Sequence, residues 1–287
     1  PRVSRSSALA SKASGYPIAR VSAKISVGMR LDEIMIANTP ASFEPALDYV
    51  VTKMPRFPFD KFSSANNKLS TQMKATGEVM SVGRTIEESL LKAARSLEIG
   101  VNHLYMKKFE TFSDDEMLNY IKDGTDDRIY AIAELLRRKT DIGMICNATK
   151  IDMLFLEKIK NIVKTENKLR EHIGDTDTLY TAKKLGFSDE FIGKLWGMTG
   201  EEIYKIREKR GMFPVYKMID TCASEFDSYI PYFYSTYEEE NESIVSDKAK
   251  IIVLGSGPIR IGQGVEFDYS TVHAVKTIKE SGIESII

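Results

Sequence analysis

The fold class follows from Lys250-Ile-Ile-Val-Leu-Gly255 and from the glycine-rich segment behind it, Ser256-Gly-Pro-Ile-Arg-Ile-Gly-Gln-Gly-Val-Glu-Phe-Asp-Tyr269. The first run predicts a buried strand, and Val272 to Lys279 forms an amphipathic segment typical of a helix. A strand, a glycine-rich turn and a helix open a nucleotide-type α/β domain, because glycines let backbone amides approach a phosphate or another chain closely. A second strand is expected to begin at Glu284-Ser-Ile-Ile287.

Both ends of the chain look like cuts through folded domains. Pro1-Arg-Val-Ser-Arg-Ser-Ser7 has no initiator Met and no apolar signal-peptide core. One strand and a fragment of the next cannot close a parallel sheet. We therefore expect an interior piece of a longer polypeptide, or the visible part of one.

Composition excludes several classes of protein. The 287 residues favour about two domains, and a hydrophobic content of 43% allows packed cores. With 40 basic and 41 acidic residues, no overall field draws the chain to nucleic acid or to a membrane. Cys146 and Cys222 are too few for a disulfide framework or a zinc site. No run reaches the roughly 20 apolar residues of a membrane span, so we expect a soluble, cytoplasmic protein with reduced thiols.

The first hundred residues mix helix and strand patterns. Two short helices are predicted on either side of Gly15 and Pro17. Ala46 to Met54 predicts a strand that Pro55 ends. Met73 to Ser81 predicts a second strand.

Helices dominate the middle of the chain. Thr85 and Glu88 form the pattern of a capping box at the start of a helix that runs to Leu97. From about 102 to 212 amphipathic helices follow one another, the longest from Lys150 to His172. Predicted N-caps are Ser113 for a helix through Tyr120, Asp126 for one through Arg138, and Ser188 and Thr199 for two short helices. Residues 213 to 246 are interpreted as an irregular, aromatic-rich linker.

Two motifs have both a functional and a structural interpretation. Gly255-x-Gly257 is followed by Gly262 and Gly264, but a dinucleotide fingerprint needs glycine where Arg260 stands, so a tight turn and close domain packing are favoured over an NAD or FAD site. Arg2 and Arg5 flank hydroxyl residues at a helix start, a pattern that binds a phosphate or a carboxylate or forms only an exposed basic terminus.

A third motif, Lys184 to Gly211, resembles a helix-turn-helix. The alternative function is therefore nucleic-acid binding through Lys205-Ile-Arg-Glu-Lys-Arg210. Glu202, Glu208 and the near-zero net charge favour helix packing instead. The three histidines have no metal-ligand or base–nucleophile spacing and are interpreted as surface or packing residues: His103, His172 and His273.

Seven segments, in order, resemble the large subunit of carbamoyl phosphate synthetase. They are Pro1-Arg-Val-Ser-Arg-Ser-Ser-Ala-Leu-Ala-Ser-Lys-Ala-Ser-Gly-Tyr-Pro-Ile-Ala19, Pro40-Ala-Ser-Phe-Glu-Pro45, Asp48-Tyr-Val-Val-Thr-Lys53, Thr71-Gln-Met-Lys-Ala-Thr-Gly-Glu-Val-Met80, Asp220-Thr-Cys-Ala-Ser-Glu-Phe226, Tyr234-Ser-Thr-Tyr-Glu238 and Gly257-Pro-Ile-Arg-Ile-Gly-Gln-Gly-Val-Glu-Phe-Asp-Tyr269. The resemblance runs the length of the chain and is weakest in the helical stretch. Between Ile34 and Pro40 the chain is several residues shorter than the family pattern.

The resemblance implies an α+β multidomain fragment. Residues 1–101 would be the C-terminal part of the first ATP-grasp domain, and residues 102–246 an all-α oligomerisation domain with its linker. Residues 247–287 would be the first β-α unit of a Rossmann-like pre-ATP-grasp domain, the start of the carbamoyl phosphate synthetic half. The implied parent enzyme is an ATP-dependent carbon–nitrogen ligase. It would make carbamoyl phosphate from bicarbonate, glutamine-derived ammonia and two ATP for arginine and pyrimidine biosynthesis, using Mg or Mn and K.

Site residues are assigned by the same resemblance. Arg2 and Arg5 would bind bicarbonate or the transferred phosphoryl group. The residues expected to border the interior passage for carbamate are Met73, Glu78, Gly264 and Glu266, and those expected to pack domains are Gly255, Gly257 and Gly262.

Partners and activity follow as further expectations. A small glutaminase subunit and a homo-oligomer through the helical domain are expected, with no nucleic acid and no membrane. No metal site and no complete ATP site is expected within these residues, so the span alone is predicted to be inactive. The alternative is a non-catalytic fragment that serves only assembly.

Overall fold

The computed structural model describes residues 5–36, 38–57, 64, 77–220, 222, 232–255 and 265–287, with side chains described except at residues 5, 6 and 265–268. The helices are α1 (Arg5–Ser14), α2 (Ile18–Ser26), α3 (Ile86–Ser96), α4 (Asp114–Tyr120), α5 (Arg128–Arg137), α6 (Ile142–Thr149), α7 (Met153–Glu171), α8 (Thr176–Lys184), α9 (Asp189–Trp196), α10 (Gly200–Lys209) and α11 (Val265–Glu280). The strands are β1 (Met35–Ile36), β2 (Thr39–Pro40), β3 (Val50–Arg56), β4 (Gly77–Gly83), β5 (Val215–Met218), β6 (Phe233–Thr236), β7 (Lys250–Ile252) and β8 (Glu284–Ile286).

The chain divides into a first unit (Pro1–Asp48, Tyr216–Tyr234 and Glu240–Ile287) and a second unit (Tyr49–Val215 and Ser235–Glu239). The predicted α+β class is confirmed.

The first unit begins with the two predicted helices. Gly15 joins them with φ of +71°, a conformation that glycine adopts without strain. The short segment from residue 34 to 40 is a hairpin in which β1 and β2 pair antiparallel, with Ile36 opposite Thr39. A small core forms beneath the hairpin from Val21, Ile34, Ile36 and Ala41.

The end of the first unit is the predicted strand–helix–strand. β7 and β8 are parallel, with Ile251 opposite Ser285, and α11 connects them. The prediction that this strand is buried is wrong, because Ile251 and Ile252 are exposed. A sheet of two strands with one helix leaves apolar surface that no described residue covers.

The second unit opens on an antiparallel pair, β3 and β4, against which α3 packs. The prediction that Pro55 ends the first strand is wrong: β3 continues through Arg56, and Pro55 lies opposite Glu78. Each strand of a two-stranded sheet has one edge without a partner strand. A proline whose nitrogen faces that edge removes no hydrogen bond between the strands. Of the predicted second strand, residues 73–76 lie outside the described residues, and β4 extends beyond Ser81 to Gly83.

The helices of the second unit follow the predicted order, and most of the predicted caps form. Ser113 and Thr199 make complete capping boxes, and Ser188 accepts a hydrogen bond from the N–H of Phe191. Asp126 is not a cap, since its carboxylate accepts the Phe57 N–H at 2.6 Å and the helix begins one residue later than predicted. The fully buried core side chains include Leu104, Phe109, Ile132, Leu156 and Ile192.

The segment predicted to be an irregular linker contains regular structure. β5 and β6 pair in a sheet of two strands. Their aromatic and β-branched residues, such as Val215 and Tyr234, favour strands. The linker prediction is wrong for these residues, because this preference outweighs that of the surrounding turn residues.

Candidate functional site

The predicted site residues are described only in part. Arg5 is the first residue of α1 and Glu266 the second of α11, and nothing is described of either side chain. The predicted site residues that lie outside the described part of the chain are Arg2, Met73, Gly257, Gly262 and Gly264. Glu78 and Gly255 are described in full.

Glu78 lies in β4 and forms an ion pair. Its Oε2 lies 2.7 Å from Lys53 Nζ, and the Glu78 side chain is 12% exposed. Lys53 is opposite Met80, so the two charged residues are diagonal neighbours on the sheet. The carboxylate that the resemblance assigns to the carbamate passage is therefore held by a cation of the adjacent strand.

Gly255 follows β7 at a crowded point. A Cβ built on it would lie 3.0 Å from Cγ2 of Ile287, closer than side-chain atoms ordinarily pack. A larger residue would push the end of the chain away from this turn.

A cavity of about 690 Å³ lies within the second unit. We call it the charged cavity, and its lining is Glu88, Lys92, Arg95, Lys183, Gly186, Phe187, Ser188, Asp189, Glu190, Gly200, Glu201, Arg207, Pro214, Ser235, Thr236 and Tyr237. Four helices contribute their faces or ends: α3, α8, α9 and α10.

Helix α3 supplies one wall because three charged residues recur at helical spacing. Glu88, Lys92 and Arg95 are four and three residues apart and so share a face. Glu88 is fully buried; its Oε1 lies 2.7 Å from Lys92 Nζ, and its Oε2 accepts hydrogen bonds from Arg84 N at 2.7 Å and Thr236 Oγ1 at 3.0 Å.

The capping box predicted for α3 is therefore only half correct. Thr85 accepts the N–H of Glu88 at 3.1 Å, as expected of an N-cap. The Glu88 carboxylate does not return to Thr85 but binds the neighbouring Arg84 N–H and Thr236. Thr236 lies far from Glu88 along the chain, so the local spacing of residues does not predict this contact.

Asp189, the first residue of α9, neutralises two cations. Lys183 Nζ lies 2.9 Å from Oδ1, and Arg207 donates through Nη2 to Oδ2 at 2.6 Å and through Nε to Oδ1 at 3.0 Å. Lys183 also donates to the Phe187 carbonyl at 2.8 Å, and Arg207 to that of Met212 at 2.9 Å. These bonds tie α8, α9 and α10 together.

The same pairs disfavour the nucleic-acid interpretation of Lys205 to Arg210 at one of its residues. Arg207 is 6% exposed and bound to Asp189, so it is not available to a phosphate backbone. Lys205 lies 2.8 Å from Glu201 on the outer face.

Arg95 stands apart from the other cations of the charged cavity. Its Nη1 donates to the Gly186 carbonyl at 2.6 Å, and no described carboxylate forms an ion pair with it. Burial lowers the pKa of Arg95, although the charges of Glu88, Glu190 and Asp189 act in the opposite direction. Only glycine allows the approach at residue 186, where φ is +87° and a Cβ would lie 2.8 Å from the Glu88 Cα.

A second buried charged group, which the sequence did not reveal, surrounds Glu166 of α7. Its carboxylate lies 2.8 Å from His103 Nε2 and accepts Arg137 Nε at 2.8 Å and Nη2 at 2.7 Å. Burial alone would raise the pKa of Glu166, but the bonds from Arg137 and His103 lower it to about 2. His103 stacks on Phe191 with ring centroids 3.7 Å apart, and burial lowers its pKa.

Apolar side chains are exposed where α6 is followed by α7. Met144, Met153, Leu154 and Phe155 are 51%, 40%, 54% and 50% exposed, respectively. We call these four residues the apolar patch. Exposed apolar side chains that are close along the chain mark an interaction site more often than single exposed residues do.

The described residues show neither a metal cluster nor a membrane-spanning helix. No three of their His, Cys, Asp and Glu side chains are grouped so that they could hold a metal ion. None of the helices in this part of the chain combines the length and the apolar character that a membrane crossing requires.

Comparison with protein families gives three matches along the chain. Residues 1–34 match the ATP binding domain of the carbamoyl-phosphate synthase L chain. Residues 78–211 match the oligomerisation domain of the carbamoyl-phosphate synthetase large chain, and residues 247–287 match the carbamoyl phosphate synthase preATP-grasp domain. All three are domains of the same ATP-dependent ligase, and together they cover most of the chain. The chain therefore belongs to the carbamoyl-phosphate synthetase large-chain family.

Proposed function

We propose that the chain forms part of the large subunit of a glutamine-dependent carbamoyl phosphate synthetase. The reaction would convert bicarbonate, glutamine-derived ammonia and two ATP to carbamoyl phosphate for arginine and pyrimidine biosynthesis in the cytoplasm. The order of the three family matches supports the proposal best, since an ATP-binding domain is followed by an oligomerisation domain and then a preATP-grasp domain.

Within this proposal, Arg2 and Arg5 bind bicarbonate or the phosphoryl group as it is transferred. Fixed guanidinium groups stabilise the negative charge that develops on phosphoryl oxygens. The position of Arg5 at the first turn of α1 supports this role, because free amides at a helix start also favour anions.

The carbamate passage is proposed to be bordered by Met73, Glu78, Gly264 and Glu266. The Glu78–Lys53 pair supports a fixed, largely shielded carboxylate at this place. The crowding at Gly255 supports the packing role proposed for Gly255, Gly257 and Gly262.

The cofactors proposed for the whole enzyme are ATP with Mg or Mn, and K. The ATP-binding family match supports the use of ATP. The described residues do not fit a metal site, so no catalytic step is assigned to a metal through them.

The domain limits proposed are 1–101 for the first synthetic part, 102–246 for the oligomerisation part with its linker, and 247–287 for the start of the second synthetic part. A glutaminase subunit is the proposed hetero-partner. Self-association is proposed to use the apolar patch, with a second copy of this chain as the occupant. The oligomerisation-domain match, which spans all four patch residues, supports that choice.

A second candidate function is assembly without catalysis. The exposed apolar patch on a helical unit favours it for the 287 residues taken alone. The test incubates the purified 287-residue chain with ATP, bicarbonate and ammonia. We expect no carbamoyl phosphate, and any product above a protein-free control would contradict this part of the proposal.

A further inference from the structure

We propose that the charged cavity binds a small organic molecule that carries a doubly charged phosphate group. None of the residues assigned above to bicarbonate, phosphoryl transfer or carbamate passage is among the described residues that line it. The site is therefore an addition to the proposed reaction.

The lining carries four cations and four carboxylates, but two of the carboxylates, Glu190 and Glu201, are exposed, so the charges of the less exposed side chains do not balance. Four cationic side chains line it: Lys92, Arg95, Lys183 and Arg207. Two carboxylates lie among them: Glu88 pairs with Lys92, and Asp189 pairs with both Lys183 and Arg207. The cluster thus carries two more positive than negative charges, and Arg95 has no carboxylate partner among the described residues.

The other two carboxylates of the lining are exposed and interact with side chains outside the lining. Glu190 accepts a hydrogen bond from Asn102 at 2.8 Å in an exposed position. Glu201 is 75% exposed and pairs with Lys205. Charges that face water are screened, so these two neutralise the interior only weakly.

Burial makes the excess charge costly. Burial lowers the pKa of Lys183 to about 8, and it also lowers the pKa of Lys92 and of Arg95. A cation whose pKa is lowered by burial gains most when an anion arrives, because the anion replaces the hydration that the cation lost. A dianion would offset the two excess charges.

The donors suit a phosphate. Arg95 donates one hydrogen bond, to Gly186, and makes none through its other N–H groups with a described residue. A planar guanidinium binds two phosphate oxygens at once. Tyr237 also lines the cavity, and its hydroxyl has no hydrogen bond to a described residue. Lys183 and Arg207 lie 5.1 and 5.6 Å from the centroid of the Tyr237 ring.

The volume indicates more than a bare ion. At about 690 Å³ the cavity lies within the range of about 300–1,000 Å³ typical of sites for small organic ligands. We therefore expect a phosphomonoester, whose organic part rests against Tyr237, to bind more tightly than inorganic phosphate.

Calorimetric titration of the 287-residue chain tests this, with chloride used to hold ionic strength constant. The probes are phenyl phosphate, inorganic phosphate and phenol. We expect saturable binding in the order phenyl phosphate, then inorganic phosphate, with none for phenol. Equal affinities for phenyl phosphate and inorganic phosphate would contradict the proposal that the ligand has an organic part. If neither phosphate shows saturable binding at millimolar concentration, the proposed site is wrong.

Two variants locate the site. Arg95→Gln, which keeps a polar N–H group but removes the charge, should weaken phenyl phosphate binding roughly tenfold to a hundredfold through loss of a charge-assisted bond. Arg170→Gln, at an exposed arginine of α7, is the matched control and should change nothing. Tyr237→Phe keeps the ring and should weaken binding severalfold, which provides a test if Arg95→Gln does not fold by circular dichroism. Unchanged affinity in the folded variants would contradict the assignment.

Discussion

Arg207 donates two hydrogen bonds to Asp189, through Nη2 at 2.6 Å and through Nε at 3.0 Å. The two residues lie on α10 and at the start of α9, so this pair joins two consecutive helices. It also places both side chains in the lining of the charged cavity. The same contact thus links the packing of the second unit to the site proposed within it.

Loss of this pair should destabilise the second unit. Arg207→Met leaves Asp189 with Lys183 as its remaining cation, and we expect a loss of about 2–3 kcal/mol in the free energy of unfolding. Urea unfolding measures it. The matched control is Lys205→Met, which removes the exposed pair with Glu201 and should cost no more than about 0.5 kcal/mol. Equal costs for the two variants would contradict the role given to Arg207.

The buried hydrogen bonds of Glu166 with Arg137 and His103 should make the stability of the chain depend on pH in the acidic range. The pKa of Glu166 is about 2 in the folded chain, below its ordinary value of 4.5. The ionised Glu166 therefore contributes about 3 kcal/mol to the free energy of unfolding above about pH 4.5, and this contribution is lost as the pH falls towards 2.

Urea unfolding of Glu166→Gln measures that contribution. The gap in unfolding free energy between the wild type and Glu166→Gln should be largest near neutral pH and shrink towards pH 2. Glu157→Gln, at an exposed residue of the same helix, should leave the pH profile unchanged. A gap that does not vary with pH would show that the Glu166 charge is not the cause.

Gly186 should tolerate no side chain. In Gly186→Ala, φ of +87° and a Cβ placed 2.8 Å from the Glu88 Cα add backbone strain to a backbone clash. We expect a loss above about 2 kcal/mol in thermal or urea unfolding. Gly174→Ala is the control, because φ is +80° there but nothing lies within 4 Å of the added Cβ. Similar losses at both glycines would mean that the contact with Glu88 is not important.

The apolar patch should control self-association. Leu154→Glu places a charge among exposed apolar side chains and should shift the chain from a concentration-dependent oligomer to a monomer in sedimentation velocity experiments. Lys164→Glu, an exposed position on the same helix, should sediment like the wild type. If Leu154→Glu forms the same oligomer as the wild type, the interface does not use the apolar patch.

Anion binding should depend on Lys183, whose pKa is about 8. Sulfate is a suitable probe because it stays doubly charged across the range tested. We expect its affinity to fall severalfold between pH 7 and pH 9, as the lysine loses its proton. The charged and titratable groups around Lys183 are Asp189, Arg207, Arg95 and Tyr237. A flat profile in the titration of the 287-residue chain with sulfate would exclude Lys183 from the site.

Local features were predictable from the sequence because their partners are close along the chain. Ser113, Ser188 and Thr199 cap helices through residues three positions away. The turn glycine at residue 15 was predictable for the same reason. The parallel pairing of the strands at Lys250 and Glu284 is less local, but the strand–turn–helix pattern between them indicates it.

Features that depend on distant partners were not predictable. Glu166 lies 63 residues from His103, and Thr236 lies 148 residues from Glu88. Periodicity identifies such residues only as polar positions on a helix, and the fold determines which of them meet in a buried site. The lining of the charged cavity comes from several segments that are far apart along the chain, so no single motif in the sequence indicates it.

The most direct measurement concerns the reaction itself. The enzyme that contains these residues, purified with its natural partners, is supplied with ATP, bicarbonate and glutamine, and both ADP and carbamoyl phosphate are quantified. We expect carbamoyl phosphate to form with two ATP consumed for each product. Failure to form carbamoyl phosphate from glutamine, with ammonia also unable to support the reaction, would contradict the proposed function.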